Sequence, residues 1–306
     1  MGKIAFVFSG QGAQYPGMGQ ALCQTSPAAK AIFETAEAIR PGTMAQCFSG
    51  TKEELTITQN TQPCLYCTDL AAAAAVQESG IRADMAAGFS LGEVAALAFS
   101  GVVSISDGFS LVCKRGLFMQ EAAAEYDSAM AAVVKLPNET VEALCANYEH
   151  VYPVNYNCPG QLVVAGLKKE LSSFSEEVKA ARGKAIPLAV GGGFHSPFME
   201  TAAERLAEVL SDFSWNPSRI PLYSNYTAQP YGTNPASLLV KQVKNPVRWQ
   251  ETIEAMIAGG ADIFIEMGPG KTLCGLIGKI SKAVRCFHVE DPETLQSTVS
   301  EVNGNA

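Results

Sequence analysis

"ADMAAGFSLGEVAALAFSGV", residues 83–102, is the stretch from which the rest of the chain can be organised. Its centre is Gly88-Phe89-Ser90-Leu91-Gly92, a serine between two glycines. "ADMAAG" is short and mostly apolar, as a buried strand is. "LGEVAALAFSG" has helical spacing through Leu91, Val94, Ala95 and Ala98, with Gly101 as its stop. Two roles fit the serine. It can cap the helix that follows, since serine is a good N-cap. Alternatively it occupies a strained strand-to-helix turn that lifts its hydroxyl above a sheet, the glycines removing Cβ clashes. The strand–turn–helix context favours the second role, a nucleophile.

Working outward, "KIAFVF" (3–8) reads as a buried strand that runs into the glycine-rich loop "SGQGAQYPGMG" (9–19). Helical patterns cover 26–39, 63–80 and 104–126, the last with Ser106 as its expected cap. Strands alternating with helices imply a mostly parallel sheet covered on both faces. Between residues 127 and 190 the rhythm changes. "AMAAVVKL", "PNETVEALCANYE", "YPVNYN", "QLVVAG", "KKELSSFSEEVKAARG" and "KAIPLAV" follow in the order β-α-β-β-α-β, with Cys158-Pro159-Gly160 as a hairpin turn. The α/β rhythm then resumes in "ETAAERLAEVLSDF", "IPLYSN", "RWQETIEAMIAGG" and "ADIFIEMG". The expected architecture is a large α/β domain, 1–126 and 191–306, interrupted by a small ferredoxin-like α+β domain at 127–190. The cleft between them is the expected place for a site.

With 306 residues, 47% of them hydrophobic, the chain can bury a large core. Its formal net charge of −8 argues against nucleic acid or a membrane surface as the main partner. Nine cysteines without a signal-like N-terminus read as reduced thiols, and no apolar run reaches a membrane span, so a cytoplasmic protein is expected.

Three motifs mislead. "GPGKT" (268–272) suggests a phosphate-binding loop, but that pattern needs a glycine where Ile265 stands, so a strand ending in a turn is expected. "GQGAQY" fails as a dinucleotide fingerprint because Tyr15 takes the third glycine position. Cys64 and Cys67 form the one C-x-x-C, inside an alanine-rich helical pattern without nearby histidine, and read as buried thiols rather than a zinc site.

A serine hydroxyl needs a base to take its proton. The chain has three histidines, His150, His195 and His288. His150 falls in a loop of the small domain. His288 falls in the strand-like "VRCFHVED", and with Asp262 or Glu266 it would complete the Ser, acid, His order of an α/β-hydrolase. His195 follows three glycines in "VGGGFHSPFM", at the return into the large domain, where a loop faces the cleft. Chemistry at this stage prefers His195 and leaves His288 open.

"FSGQGAQ", "GFSLGE", "KRG", "PVNYNCPGQLVVAG", "FHSP" and "KQVKNPVRW", taken together and in this order, resemble the successive motifs of the malonyl-CoA:acyl-carrier-protein transacylases. The acyltransferase domains of polyketide and fatty-acid synthases share them. The resemblance spans nearly the whole chain and implies a large hydrolase-like domain interrupted by a small one. It implies that Ser90 carries the acyl group and that His195 is the base, oriented by a carbonyl at Gln242 in place of an acid. The oxyanion hole would be the backbone amides of Gln11 and Leu91.

Arg115 shares a helix face with Leu111 and Phe118. Alone it reads as a side chain reaching the surface beside Lys114. The resemblance makes it the receptor for the free carboxylate of malonyl, and Phe194 matches the malonyl-type form of the histidine motif. The activity implied is transfer of malonyl from malonyl-CoA to acyl carrier protein in fatty-acid synthesis, with no metal and no bound organic cofactor. A trans-acting acyltransferase of a polyketide pathway and an acyl-thioester hydrolase are the alternatives. Two positions depart from the family pattern: Phe89 where histidine is usual, and Ser9 where proline is usual.

Overall fold

The structure, a computed structural model, describes residues 2–304. It is α/β, with two separate sheets. The larger has five strands, β1 (Lys3–Phe8), β2 (Met85–Gly88), β7 (Leu222–Tyr223), β8 (Ala261–Met267) and β9 (Arg285–Val289), in the order β7-β2-β1-β8-β9. Every pairing in it is parallel. Both faces are covered, and β1 shows how: Phe6 and Phe8 join one core cluster, while Ala5 and Val7 join another on the opposite face.

The smaller sheet is antiparallel and comprises β3 (Ser128–Val134), β4 (Val151–Cys158), β5 (Gln161–Leu167) and β6 (Lys184–Pro187), in the order β4-β5-β3-β6. With helices Asn138–Cys145 and Lys168–Ala180 between its strands, this is the ferredoxin-like arrangement. Side-chain alternation splits its two faces. Ala131, Val133, Leu162 and Val164 pack with Val141, Phe174 and Val178 of its own helices. Met130, Ala132, Val163 and Ala165 instead join the main core, beside Phe194 and Phe198. Period-two alternation thus aims one face of the small sheet at the large part of the molecule.

Several local expectations change. The cap of helix Ile105–Ala124 is Ser104, which accepts from the Asp107 amide; Ser106 lies one residue inside the helix. The helix expected from Pro63 begins at Thr58 and contains that proline. Its turns are buried almost throughout from Thr61 to Val76, and that packing outweighs one lost backbone bond. "IPLYSN" contributes only Leu222 and Tyr223 to the sheet edge, and the chain then turns away. Gly268 and Gly270 have positive φ in a turn after β8, so "GPGKT" is a strand end. Cys64 and Cys67 are buried free thiols.

Candidate active site

The expected turn forms between β2 and helix Gly92–Phe99. Ser90 is not a cap: no side chain caps this helix, and Ser90 itself has φ 53°, in the left-handed region that costs a non-glycine residue. The flanking glycines are required by space. A Cβ on Gly88 would lie 1.9 Å from the Gly92 carbonyl carbon, and one on Gly92 would lie 2.3 Å from the Phe8 oxygen. The turn is held from outside by Asn225, where the chain leaves the sheet edge. Its Oδ1 accepts from the Ser90 amide at 2.7 Å, and its Nδ2 donates to the Gly88 carbonyl at 2.7 Å.

His195 also has a left-handed backbone, φ 59°, and its side chain is 3% exposed. Its Nε2 lies 2.6 Å from Ser90 Oγ, and its Nδ1 lies 2.8 Å from the Gln242 backbone carbonyl. A carbonyl only accepts, so Nδ1 carries the proton and Nε2 is free to accept from Ser90. That carbonyl is available for a local reason. Gln242 lies in the last turn of helix Pro235–Lys244, and the residue four positions on is Pro246, which has no amide to donate. The segment after this helix is tied to the small sheet, with Tyr156 N donating to Val247 O at 2.9 Å and Val247 N donating to Val154 O at 2.8 Å. Burial, and then the Arg115 charge, lower the His195 pKa to about 4, against the raising effect of its bonds to the Gln242 and Asn245 backbone. The imidazole is therefore neutral at neutral pH.

The arginine that reads, on its own, as a surface side chain points inward. Arg115 is 1% exposed. Its Nη1 donates to Gln62 Oε1 at 2.8 Å, and its Nη2 donates to Gln242 Oε1 at 2.9 Å and to Ser90 Oγ at 3.3 Å. Its buried Nε–H meets no acceptor among the described residues. Burial lowers its pKa to about 10, with Glu93 raising it, so it remains a cation at neutral pH.

Among the described residues, no acceptor meets the backbone amide of Gln11 or of Leu91. Leu91 stands at the start of the helix after Ser90, where amides lack intrahelical partners. A cavity of about 210 Å³ lies between the two sheets, walled by Gly10, Gln11 and Phe89 on one side and Ala132, Asn155, Asn157 and Val163 on the other. Phe89 packs edge-on against Trp249, ring centres 5.3 Å apart. Phe194 is buried in the main core beside His195.

The other histidines stand elsewhere. His150 bonds Glu170 at 2.9 Å, and His288 lies 3.8 Å from Glu290. Glu266 accepts from the amides of Leu273 and Cys274, and Asp262 sits at the opposite end of the parallel sheet from Ser90, next to the start of β1. The hydrolase-type set of Ser90, His288 and an acid is not assembled. Gln62, Glu93 and Asn225 escape sequence reading, because each meets the site through partners 53 to 149 positions away in the chain. No group of three or more potential metal-ligating side chains occurs among the described residues, and no helix is long and apolar enough to cross a membrane.

A strained serine beside a neutral buried imidazole, with two amides that meet no acceptor, is an arrangement suited to acyl transfer. Residues 5–285 match the family described as "Acyl transferase domain". The malonyl CoA-acyl carrier protein transacylase of Bacillus subtilis (strain 168) is 41% identical, covering 100% of both chains. That of Escherichia coli (strain K12) is 36% identical over 98% of this chain and 99% of its own. Among solved structures, the malonyl CoA-acyl carrier protein transacylase of Clostridium perfringens superposes with a TM-score of 0.96 at 38% identity, covering 99% of this chain and 98% of its own. A malonyl-transacylase solved in complex with a type II PKS acyl-carrier protein gives 0.94 at 34% identity, with 98% and 99% covered. The chain belongs to the acyl transferase family and, within it, to the malonyl CoA-acyl carrier protein transacylases.

Proposed function

We propose that the protein transfers malonyl from malonyl-CoA to the phosphopantetheine thiol of acyl carrier protein, through a malonyl ester on Ser90. One observation carries this reading: a base and a buried cation meet at the same oxygen, with Ser90 Oγ 2.6 Å from His195 Nε2 and 3.3 Å from Arg115 Nη2. Ser90 Oγ attacks the thioester carbon as its proton passes to His195 Nε2, and the Gln242 carbonyl holds the imidazolium through Nδ1. The oxyanion takes the Gln11 and Leu91 amides. The C–S bond breaks and the CoA sulfur collects the proton from His195. In the second half the carrier-protein thiol gives its proton to His195 and attacks the ester carbon; the C–O bond breaks and Ser90 Oγ takes that proton back from His195.

Arg115 binds the distal carboxylate, for which a planar guanidinium is suited. Phe194, packed beside His195, limits room for a branch on the acyl chain. The cavity between the two sheets takes the pantetheine arm. Asn155 and Asn157 line it with buried Oδ1 atoms that have no protein partner, acceptors suited to amide N–H groups. In this reading the chain divides as 1–126 with 191–306, and 127–190, and the arm enters between the two parts. The steps use only protein groups and the thioester. Supply of a polyketide carrier protein is a second reading, favoured by the likeness to the complex with a type II PKS carrier.

Intact-mass spectrometry after brief incubation with malonyl-CoA tests the intermediate. A malonyl adduct that maps to Ser90 is expected. Release of malonate without any adduct would mean hydrolysis.

Acyl carrier proteins are acidic, and this chain is itself −8, so a local basic surface must guide the encounter. Lys168, Lys169, Lys179, Arg182 and Lys184 of the small sheet and its second helix region are all exposed. Lys168 is held by Asp127 at 2.6 Å, whereas Lys179 has only a longer contact with Glu176 at 3.9 Å, which makes Lys179 and Arg182 the better test. Reversing both charges should slow transfer to carrier protein, more at low salt, and leave Ser90 loading unchanged. An unchanged transfer rate at low ionic strength would remove them from the interface.

A further inference from the structure

One carboxylate beneath Ser90 takes no part in the steps above. Glu93 is fully buried at the first turn of helix Gly92–Phe99. Its Oε1 accepts from the Tyr231 hydroxyl. Its Oε2 accepts from the Asn225 amide at 3.0 Å and from Gln242 Nε2 at 3.2 Å.

The Gln242 amide is where this matters. Its Nε2 also donates to the Ser90 carbonyl at 2.6 Å and lies 3.5 Å from Asn225 Oδ1, so three oxygens surround one NH₂ group. Its Oε1 lies 2.9 Å from Arg115 Nη2. Turning this amide over would set a carbonyl oxygen against those oxygens and an NH₂ group against the guanidinium. Both contacts would be lost in a buried site, where an unmade hydrogen bond is costly.

We propose that Glu93 is a positioning residue for malonyl selectivity, fixing the polarity of the Gln242 amide so that Gln242 Oε1 holds Arg115 beside Ser90. The inference rests on Arg115 being the receptor for the substrate carboxylate. It also explains why the counter-charge is one amide removed. A carboxylate bonded directly to Arg115 would occupy the donors that a substrate carboxylate needs, whereas a neutral Gln242 oxygen aims the guanidinium and leaves it charged. Burial pushes the Glu93 pKa up to about 7, against the lowering effects of Tyr231, Asn225, Gln242 and Arg115. Charged or neutral, Oε2 remains an acceptor, because two N–H groups face it.

The test is the ratio of kcat/KM for malonyl-CoA to that for acetyl-CoA in four variants. Loss of the turn's geometry would lower both rates by one factor and leave the ratio alone, whereas a misaimed Arg115 lowers the malonyl rate selectively. Glu93→Gln can keep an oxygen at the Oε2 position, with Tyr231 as acceptor for its NH₂, and should hold the ratio within about threefold. Glu93→Met removes the acceptor and should lower the ratio by about 10- to 100-fold, the worth of one hydrogen bond to a charged group. Glu93→Asp withdraws the carboxyl by one methylene and should give an intermediate fall, which carries the test if the methionine variant does not fold. A wild-type ratio in Glu93→Asp or Glu93→Met overturns the inference, as does a fall in Glu93→Gln equal to that in Arg115→Ala. A wild-type ratio in Arg115→Ala itself would instead remove the carboxylate reading, and this inference with it.

Discussion

Arg115→Ala is expected to lower the preference for malonyl-CoA over acetyl-CoA by tens- to thousands-fold. The guanidinium is buried and charged, and it touches the Ser90 hydroxyl, with one N–H still without an acceptor. Truncation removes a charge-assisted pair with the substrate carboxylate, on the order of 2–5 kcal/mol for a desolvated pair of this kind. It also removes the penalty that an acyl group without a carboxylate suffers, namely a buried cation left unpaired. The malonyl rate should fall while the acetyl rate holds steady or rises. Arg115→Lys should restore only part of the preference, since an ammonium cannot make the two-pronged match. The measurement is kcat/KM for both thioesters. If both rates fall by the same factor, Arg115 serves the fold through Gln62 and Gln242, and the carboxylate assignment is lost.

His195→Ala should slow transfer by roughly 10²–10⁴-fold, the usual range for a general acid–base group. His288→Ala should retain activity, because that ring lies beside Glu290 on an outer strand of the sheet. A dead His288 variant with an active His195 variant would restore the hydrolase-type arrangement. The same imidazole sets a pH dependence. Its pKa in the folded protein is lowered to about 4. The free enzyme should therefore keep its base down to that pH, and the acid limb of kcat/KM should fall near 4 rather than near the ordinary imidazole value of about 6.5. The stability contribution has the same sign. It is complete above about 6.5, where folded and unfolded forms are both neutral, and it is lost as the pH falls toward 4, because the unfolded chain binds the proton first. His195→Ala should remove that part of the pH dependence in denaturant titrations.

The turn at Ser90 was legible because its requirements are local. A strand, two glycines and a helical pattern within ten residues leave one backbone path, and the glycines are needed within a few bonds of the serine. The small antiparallel sheet was legible for the same kind of reason, as period-two runs separated by amphipathic helices and one Cys-Pro-Gly turn. Misplaced boundaries, such as Ser104 for Ser106 and Thr58 for Pro63, arose where two caps compete or where burial overrides a proline. The free carbonyl of Gln242 was half legible: Pro246, four residues on, deprives it of a partner, but nothing local says which donor arrives.

By itself, then, the sequence determined the elements, the strained serine and the scarcity of bases. Composition, backbone sterics and side-chain period act over a few residues. Only the tertiary structure decided which histidine meets Ser90, whether Arg115 points inward, and that Glu93, Gln242 and Asn225 form one network beneath the nucleophile. Those contacts join residues 105, 127, 132, 135 and 149 positions apart. They form because parallel strands place the ends of distant segments along one edge, and burial there favours pairing among the polar groups that arrive.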